Sequence, residues 1–167
     1  GIFMNKLMQN QPMPIFGDGT QRRAFTYIKD IAPLIARSIE VPAALNQSFN
    51  VGGDTHTSVN ALALEVAKAM GLAPNILHLP ARQEVKFAYS SHEKVRSVFK
   101  SESETSLPQG LLAMASWAKH SGARQGKPFE ALEVARNFPE AWQHLLTAPQ
   151  PRLKSTSSSH ITEDVIK

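Results

Sequence analysis

Apolar positions recur along this chain in changing rhythms, and each change of rhythm marks an element. Ile2, Phe3, Leu7 and Met8 fall at helical spacing, so residues 2–9 read as a helix already under way at Gly1. Met13, Ile15 and Phe16 then suit a short buried strand. Gly17-Asp18-Gly19 carries the Asp-Gly signal of a hairpin turn, because glycine tolerates positive φ. On the second arm Phe25, Tyr27 and Ile28 mostly alternate, behind Arg22 and Arg23. Asp30 is placed to cap a helix that starts at Ile31 and runs to about Glu40. Its apolar stripe is Ile31, Leu34, Ile35 and Ile39, with Pro33 in the first turn and Pro42 closing the segment.

Further along, Gln47 to Val51 reads as a strand and Gly52-Gly53 as a turn. Thr57 or Ser58 caps a second helix, with Val59, Leu62, Val66 and Met70 on one face and Gly71 at its end. Asn75 to Leu79 and Val85 to Tyr89 are predicted short strands around Pro80-Ala81-Arg82-Gln83, and Ser91 to Phe99 a charged helix. A last helix opens at Thr105-Ser106-Leu107, carries Leu111, Met114 and Trp117, and ends near Gly122. Beyond it the pattern weakens. Residues 122–148 read as a short extension whose Phe138 and Trp142 dock on the body, and residues 149–167 as a flexible Ser-rich tail.

Composition narrows this picture. A chain of 167 residues suffices for one domain with a core, and 42% hydrophobic with 19% charged residues is a globular balance. No apolar run approaches the ~20 residues that span a bilayer, so no membrane association is expected and cytoplasm is the default compartment. The absence of cysteine removes disulfides and thiolate metal sites. The net charge of +4 is spread without a Lys/Arg block, so it gives a nucleic-acid partner no support beyond charge itself. The six histidines show no metal-ligand spacing, and no GxSxG or GxxxxGK[ST] is present. His92, alone at a helix start, is expected to be exposed and inert.

The run GDGTQRRAFTYIKD resembles a motif of the NAD-dependent nucleotide-sugar epimerases and dehydratases, the extended branch of the short-chain dehydrogenase/reductase family. NVGG before a capped helix, LPARQEV, and TSL-x-x-GL opening the last helix are also similar to that family. The resemblance covers most of residues 1 to 121 and continues more weakly to about residue 142. It implies an α/β fold: a small mixed α/β substrate-binding lobe of an extended short-chain dehydrogenase, without its Rossmann half.

The resemblance also implies roles. Pro14, Ile15 and Phe16 would lie along the nucleotide base and ribose, while Arg23 and Arg82 would meet over the diphosphate of a nucleotide sugar, most naturally a UDP-sugar. Guanidinium chemistry supports the second point on its own, since paired donors match phosphate oxygens and the charge never titrates. Ordinary surface ion pairs, Arg23 with Asp18 or Arg82 with Glu84, are the plain alternative. For Phe16, an aromatic in a strand, core packing and base contact both stay open. Arg22 reads as solvated, and Phe25 and Tyr27 as packing residues. In the family an aspartate commonly stands where this chain has Ser91, and serine can cap the following helix in its place.

The family's catalytic equipment is missing from the pattern. Gly17-Asp18-Gly19 lacks the third glycine of a dinucleotide turn, and Tyr89 with Lys94 misses the Tyr-x-x-x-Lys spacing by one residue. No catalytic residue and no bound cofactor are therefore expected in this segment, with NAD belonging to the full-length enzyme. That enzyme would oxidise its sugar transiently, then re-reduce it, as UDP-glucose 4-epimerases do, or eliminate from it. The beginning inside a helix suggests a chain cut from something longer, with a start at Met4 the alternative. The expected partner is the missing Rossmann half or a second copy. The competing reading is a free-standing, non-enzymatic module that binds nucleotide sugars or a protein.

Overall fold

A computed structural model of the chain describes residues 1–101 and 105–125. Elements run in the order α1 (Ile2–Met8), β1 (Met13–Phe16), β2 (Arg22–Ala24), α2 (Ile28–Arg37), β3 (His56–Ser58), α3 (Val59–Met70), β4 (Ile76–Leu79), β5 (Phe87–Ala88), α4 (Glu93–Phe99) and α5 (Leu107–Ser121). A short 3-10 turn, Pro42–Ala44, follows α2. These elements belong to a compact unit spanning Gly1–Arg124. The expected extension and tail, with Phe138 and Trp142, lie outside the described residues.

The core is small and helical on one side. Met4 and Leu7 of α1, Met13 and Ile15 of β1, Ala63, Val66 and Met70 of α3, and Leu111, Ala115 and Ala118 of α5 are all buried in one cluster. Small residues dominate where α3 meets α5, which lets the two helices approach closely. Local chemistry starts and stops these helices as the sequence predicts. Ser58 Oγ accepts from Ala61 N at 3.2 Å, and Gly71 closes α3 in the left-handed region at φ 67°. Ser106 and Gln109 form a reciprocal capping box at the start of α5.

The strands depart from the expected hairpin. β1 pairs in parallel with β4, from Met13 opposite Ile76 to Phe16 opposite Leu79. β2 lies in a separate sheet, antiparallel to β3 and parallel to β5. The two arms of the Gly17-Asp18-Gly19 turn share no ladder, because the turn's backbone groups are satisfied elsewhere. Gly17 N donates to Leu79 O, Asn60 N to Gly19 O, and Asn60 Nδ2 to Asp18 O. The start of α3 thus pins the turn and sends β2 away from β1.

Other boundaries also move. α2 begins at Ile28 rather than Ile31, so Asp30 sits in its first turn and Pro33 inside the helix, where its missing N–H leaves Lys29 O without a helical donor. Asp30 does not cap α2, because its carboxylate accepts from Thr105 N and Thr105 Oγ1, both at 2.8 Å. The helix also ends at Arg37, short of the predicted Glu40, which leaves Ile39 beyond it; within α2 Ile28 and Ile35 are each 63% exposed, and Ile39 is 90% exposed. Gln47 to Val51 forms no ladder among the described residues; side chains hold it instead. Phe49 packs edge-on against Phe99 at 5.4 Å, and Lys94 Nζ donates to Gln47 Oε1 and Ser48 O. The predicted strands at 75–79 and 85–89 shorten to Ile76–Leu79 and Phe87–Ala88.

Burial decides the expected cost of truncation. Ile15, 1% exposed at the centre of the cluster, should lose about 2–5 kcal/mol on change to alanine. Ile39→Ala should stay within about 0.5 kcal/mol of the parent. Urea denaturation followed by circular dichroism checks both; equal midpoints for the two variants would contradict this core.

Candidate functional site

Parallel pairing places the ends of β1 and β4 side by side, so the loops leaving Phe16 and Leu79 emerge together. The second of these loops carries Arg82, whose guanidinium lies over the Phe16 ring at 3.8 Å from its centroid. That contact is a cation–π stack, and it leaves the guanidinium edge available for hydrogen bonds. Arg82 is exposed and Phe16 half-buried, whereas Ile15 is core and Pro14 half-buried on the same strand. A side-chain contact to a ligand is thus open to Phe16 and closed to Ile15.

Arg23 reaches the same loop from β2. Its Nη1 donates to Arg22 O at 2.7 Å, and its Nη2 to Glu84 Oε2 at 3.3 Å. Gln21 ties the group together, donating from Nε2 to Phe16 O at 3.1 Å and to Glu84 Oε1 at 3.0 Å. Of the ordinary ion pairs weighed as the alternative, neither forms as named, although Arg23 does make one. Arg23 takes Glu84 and not Asp18, and Arg82 takes an aromatic ring and not Glu84. Asp18 instead accepts from Thr20 N at 2.9 Å and Thr20 Oγ1 at 2.8 Å, and the Thr20 backbone bond is the main reason its carboxyl is held below the usual range. Phe16, Arg23 and Arg82 therefore gather around one loop, joined by Glu84, which the sequence had set against Arg82, and by Gln21, which it did not single out; Pro14 lies back along β1, opposite Leu77.

The Gly17-Asp18-Gly19 turn does not fit a dinucleotide pyrophosphate. A Cβ on Gly19 would lie 2.0 Å from Asn60 Oδ1, so the space a phosphate would need is filled. The facing atom is also a carbonyl oxygen, without a donor of its own, which repels an anion. Among the described residues no trio of His, Cys, Asp or Glu could hold a metal, and no helix is long and apolar enough to cross a membrane.

The larger cavity lies elsewhere. A groove of about 1070 Å3 runs between α1, the start of α2 and α5, walled by Phe3, Phe25, Tyr27, Leu107, Met114 and Trp117. Its lining is mostly apolar, Lys29 being the one Lys, Arg, Asp, Glu or His among its described residues, so it offers a diphosphate no paired guanidinium donors. Phe25 and Tyr27 act there as packing residues, Tyr27 lying against Gly110, where an added Cβ would touch its ring at 3.6 Å. Charge chemistry, not volume, points to the arginine loop.

A second polar cluster overturns the expectation for His92. The residue is 4% exposed, and both ring nitrogens are engaged: Nδ1 lies 2.7 Å from Asp54 Oδ1, and Nε2 3.1 Å from Ser90 Oγ. Arg96 Nη1 holds the other carboxylate oxygen of Asp54. His92 and Asp54 are far apart in the chain, so no local pattern announces the pair. Ser91 does not cap α4, whose N-cap position is His92 without a side-chain cap; Ser91 Oγ accepts from Glu93 N at 3.4 Å from one residue outside. Tyr89 stacks on His56, with ring centroids 5.4 Å apart, away from Lys94.

Comparison with known proteins gives the following likenesses. Residues 2–52 match the family model described as the NAD dependent epimerase/dehydratase family. The UDP-glucuronate 4-epimerase of Thermodesulfobacterium geofontis is 29% identical over 71% of this chain and 37% of its own length. For the UDP-glucose 4-epimerase of Mycolicibacterium smegmatis the figures are 29%, 66% and 35%. The crystal structure of the Bacillus cereus UDP-glucuronic acid 4-epimerase, in complex with UDP-glucuronic acid and NAD, superposes with a TM-score of 0.66 at 25% identity. That match covers 72% of this chain and 39% of the other.

Residues 2–52 thus match the NAD-dependent epimerase/dehydratase family, and most of the described chain is similar to members of it. The chain spans well under two thirds of the length of these relatives.

Asp54 gives the site a pH signature. Its carboxyl is held below the usual range, first by the hydrogen bond from His92 and then by Arg96. A carboxyl depressed in the folded state adds stability above its unfolded pKa, and loses it as pH falls through the folded value. The stability gap between the parent and Asp54→Asn should therefore be present at about pH 5 and close as pH falls below about 4. Urea midpoints across that range test it; a gap that persists undiminished in strong acid would contradict the assignment.

Proposed function

We propose that residues 1–121 form the nucleotide-sugar-binding lobe of an NAD-dependent epimerase or dehydratase, with Arg23 and Arg82 clamping the diphosphate of a UDP-sugar. The carrying observation is the convergence of both arginines on one loop beside Phe16, with the Arg82 guanidinium stacked on that ring. The relatives named above are epimerases of UDP-sugars, which supports the same substrate class for this chain. Pro14, Ile15 and Phe16 would offer backbone to the base and ribose, and Phe16 its free ring edge as well. In this reading the NAD site and the catalytic Tyr-x-x-x-Lys pair lie on other polypeptide, and the lobe alone turns over no nucleotide sugar. The protein would act in the cytoplasm.

Magnitudes favour the ligand over the resident ion pair. Arg23 and Glu84 are both partly solvated, and such pairs contribute about 0–1 kcal/mol. A diphosphate presents several charged acceptors, each worth about 1.5–3 kcal/mol to an arginine. The incoming anion therefore displaces Glu84 at small cost. Binding energy from this remote handle would hold the reacting sugar in position for the rest of the enzyme.

Titration of the chain with UDP, followed by amide NMR, tests the reading. Saturable shifts are expected in residues 14–23 and around Arg82, and Arg23→Ala or Arg82→Ala should each weaken binding about ten- to a hundredfold. A folded chain whose spectrum ignores UDP would remove the clamp.

A further inference from the structure

The cluster around His92 takes no part in the nucleotide-sugar reading, and its arrangement is chemically specific. The Asp54 carboxylate, further held by Arg96, lies 2.7 Å from Nδ1 and favours the tautomer with the proton on that nitrogen. In that tautomer Nε2, 3.1 Å from Ser90 Oγ, accepts from the serine hydroxyl. Packing holds the ring in that orientation: a Cβ on Gly52 would lie 3.0 Å from Nε2 and 3.4 Å from Thr26 Oγ1. The base is thus buried and immobilised, while Ser90 is exposed and reachable from solvent. A nucleophile within hydrogen-bond reach of a base, which a third group orients in turn, is the defining geometry of an activated serine, and it is recognised by roles and not by chain order.

We propose that Ser90 is a nucleophile for small activated acyl esters, with His92 as its general base and Asp54 as the positioning carboxylate. Ser90 Oγ bonds to the acyl carbon as its proton passes to His92 Nε2. The C–O bond to the ester's alcohol then breaks, and the departing oxygen takes that proton. Water completes the cycle: it gives a proton to Nε2 and its oxygen to the acyl carbon, and Ser90 leaves reprotonated with release of the carboxylic acid. Nothing beyond ester and water is consumed. The charged groups facing the imidazole are Asp54, Arg96 and, across a cavity of about 250 Å3, Asp30. Glu93 and Lys94 on α4 are exposed.

The test is to treat the full chain with p-nitrophenyl acetate and, separately, with a fluorophosphonate, reading intact mass and then peptide maps. One adduct per chain is expected, on Ser90, forming at least about tenfold faster than on its exposed neighbour Ser91. Ser90→Ala should abolish the adduct, and Asp54→Asn should slow it by about tenfold or more. The proposal is overturned if Ser90 and Ser91 react equally fast, or if a folded Asp54→Asn chain reacts at Ser90 as fast as the wild type. The comparison of Ser90 with Ser91 needs no variant, so the proposal stands or falls even where Asp54→Asn fails to fold.

Discussion

Burial of β1 between the helices and β4 is the interaction on which the rest of this fold depends. Met13 and Ile15 are almost wholly removed from water, and the parallel partner of each lies on β4. Because the pairing is parallel, both strands end on the same side, and that alone brings the loop bearing Arg82 to Phe16. An antiparallel partner would have sent that loop to the opposite end. The arrangement follows the general habit of parallel sheets, which gather functional loops beyond the carboxyl ends of their strands. Core packing and site geometry are thus one fact seen from two sides.

The two polar clusters answer the problem of placing charge in different ways. Around Arg23 the partners are partly solvated and the guanidinium is shared among Arg22 O and Glu84. Such an arrangement is cheap to open and suits an exchangeable anion. Around His92 the ring is buried and its two nitrogens are each matched to one partner, so the geometry is fixed before anything binds. A solvated pair yields to a ligand; a buried, satisfied one positions a proton.

Helices were the legible part of this sequence. The ends of α3 and α5 carry capping chemistry that acts within a few residues, so Ser58, Gly71, Ser106 and Gln109 could be read locally. Strand pairing could not. The Asp-Gly turn gives a true local signal, yet Asn60, distant in sequence, captures its carbonyls and prevents the hairpin. Asp30 shows the same limit: it has the residue type and place of a cap, but Thr105 claims its carboxylate. Of the candidate site, Arg23 and Arg82 were visible through motif resemblance, and Phe16 through its strand. Glu84 as the partner of Arg23, and Asp54 as that of His92, were invisible, because each pairing depends on long-range tertiary contact.

The register of β1 against β4 also sets an order of events in time. Residues 13–16 must wait for residues 76–79, and closing so long a loop costs entropy before any contact repays it. During synthesis the first strand therefore leaves the ribosome well before its partner exists, with Met13 and Ile15 unpaired in the interval. A chain stopped short of β4 would present that strand as an open edge, prone to pair with other chains. Productive folding thus belongs to the chain only after α3 and β4 have both been made.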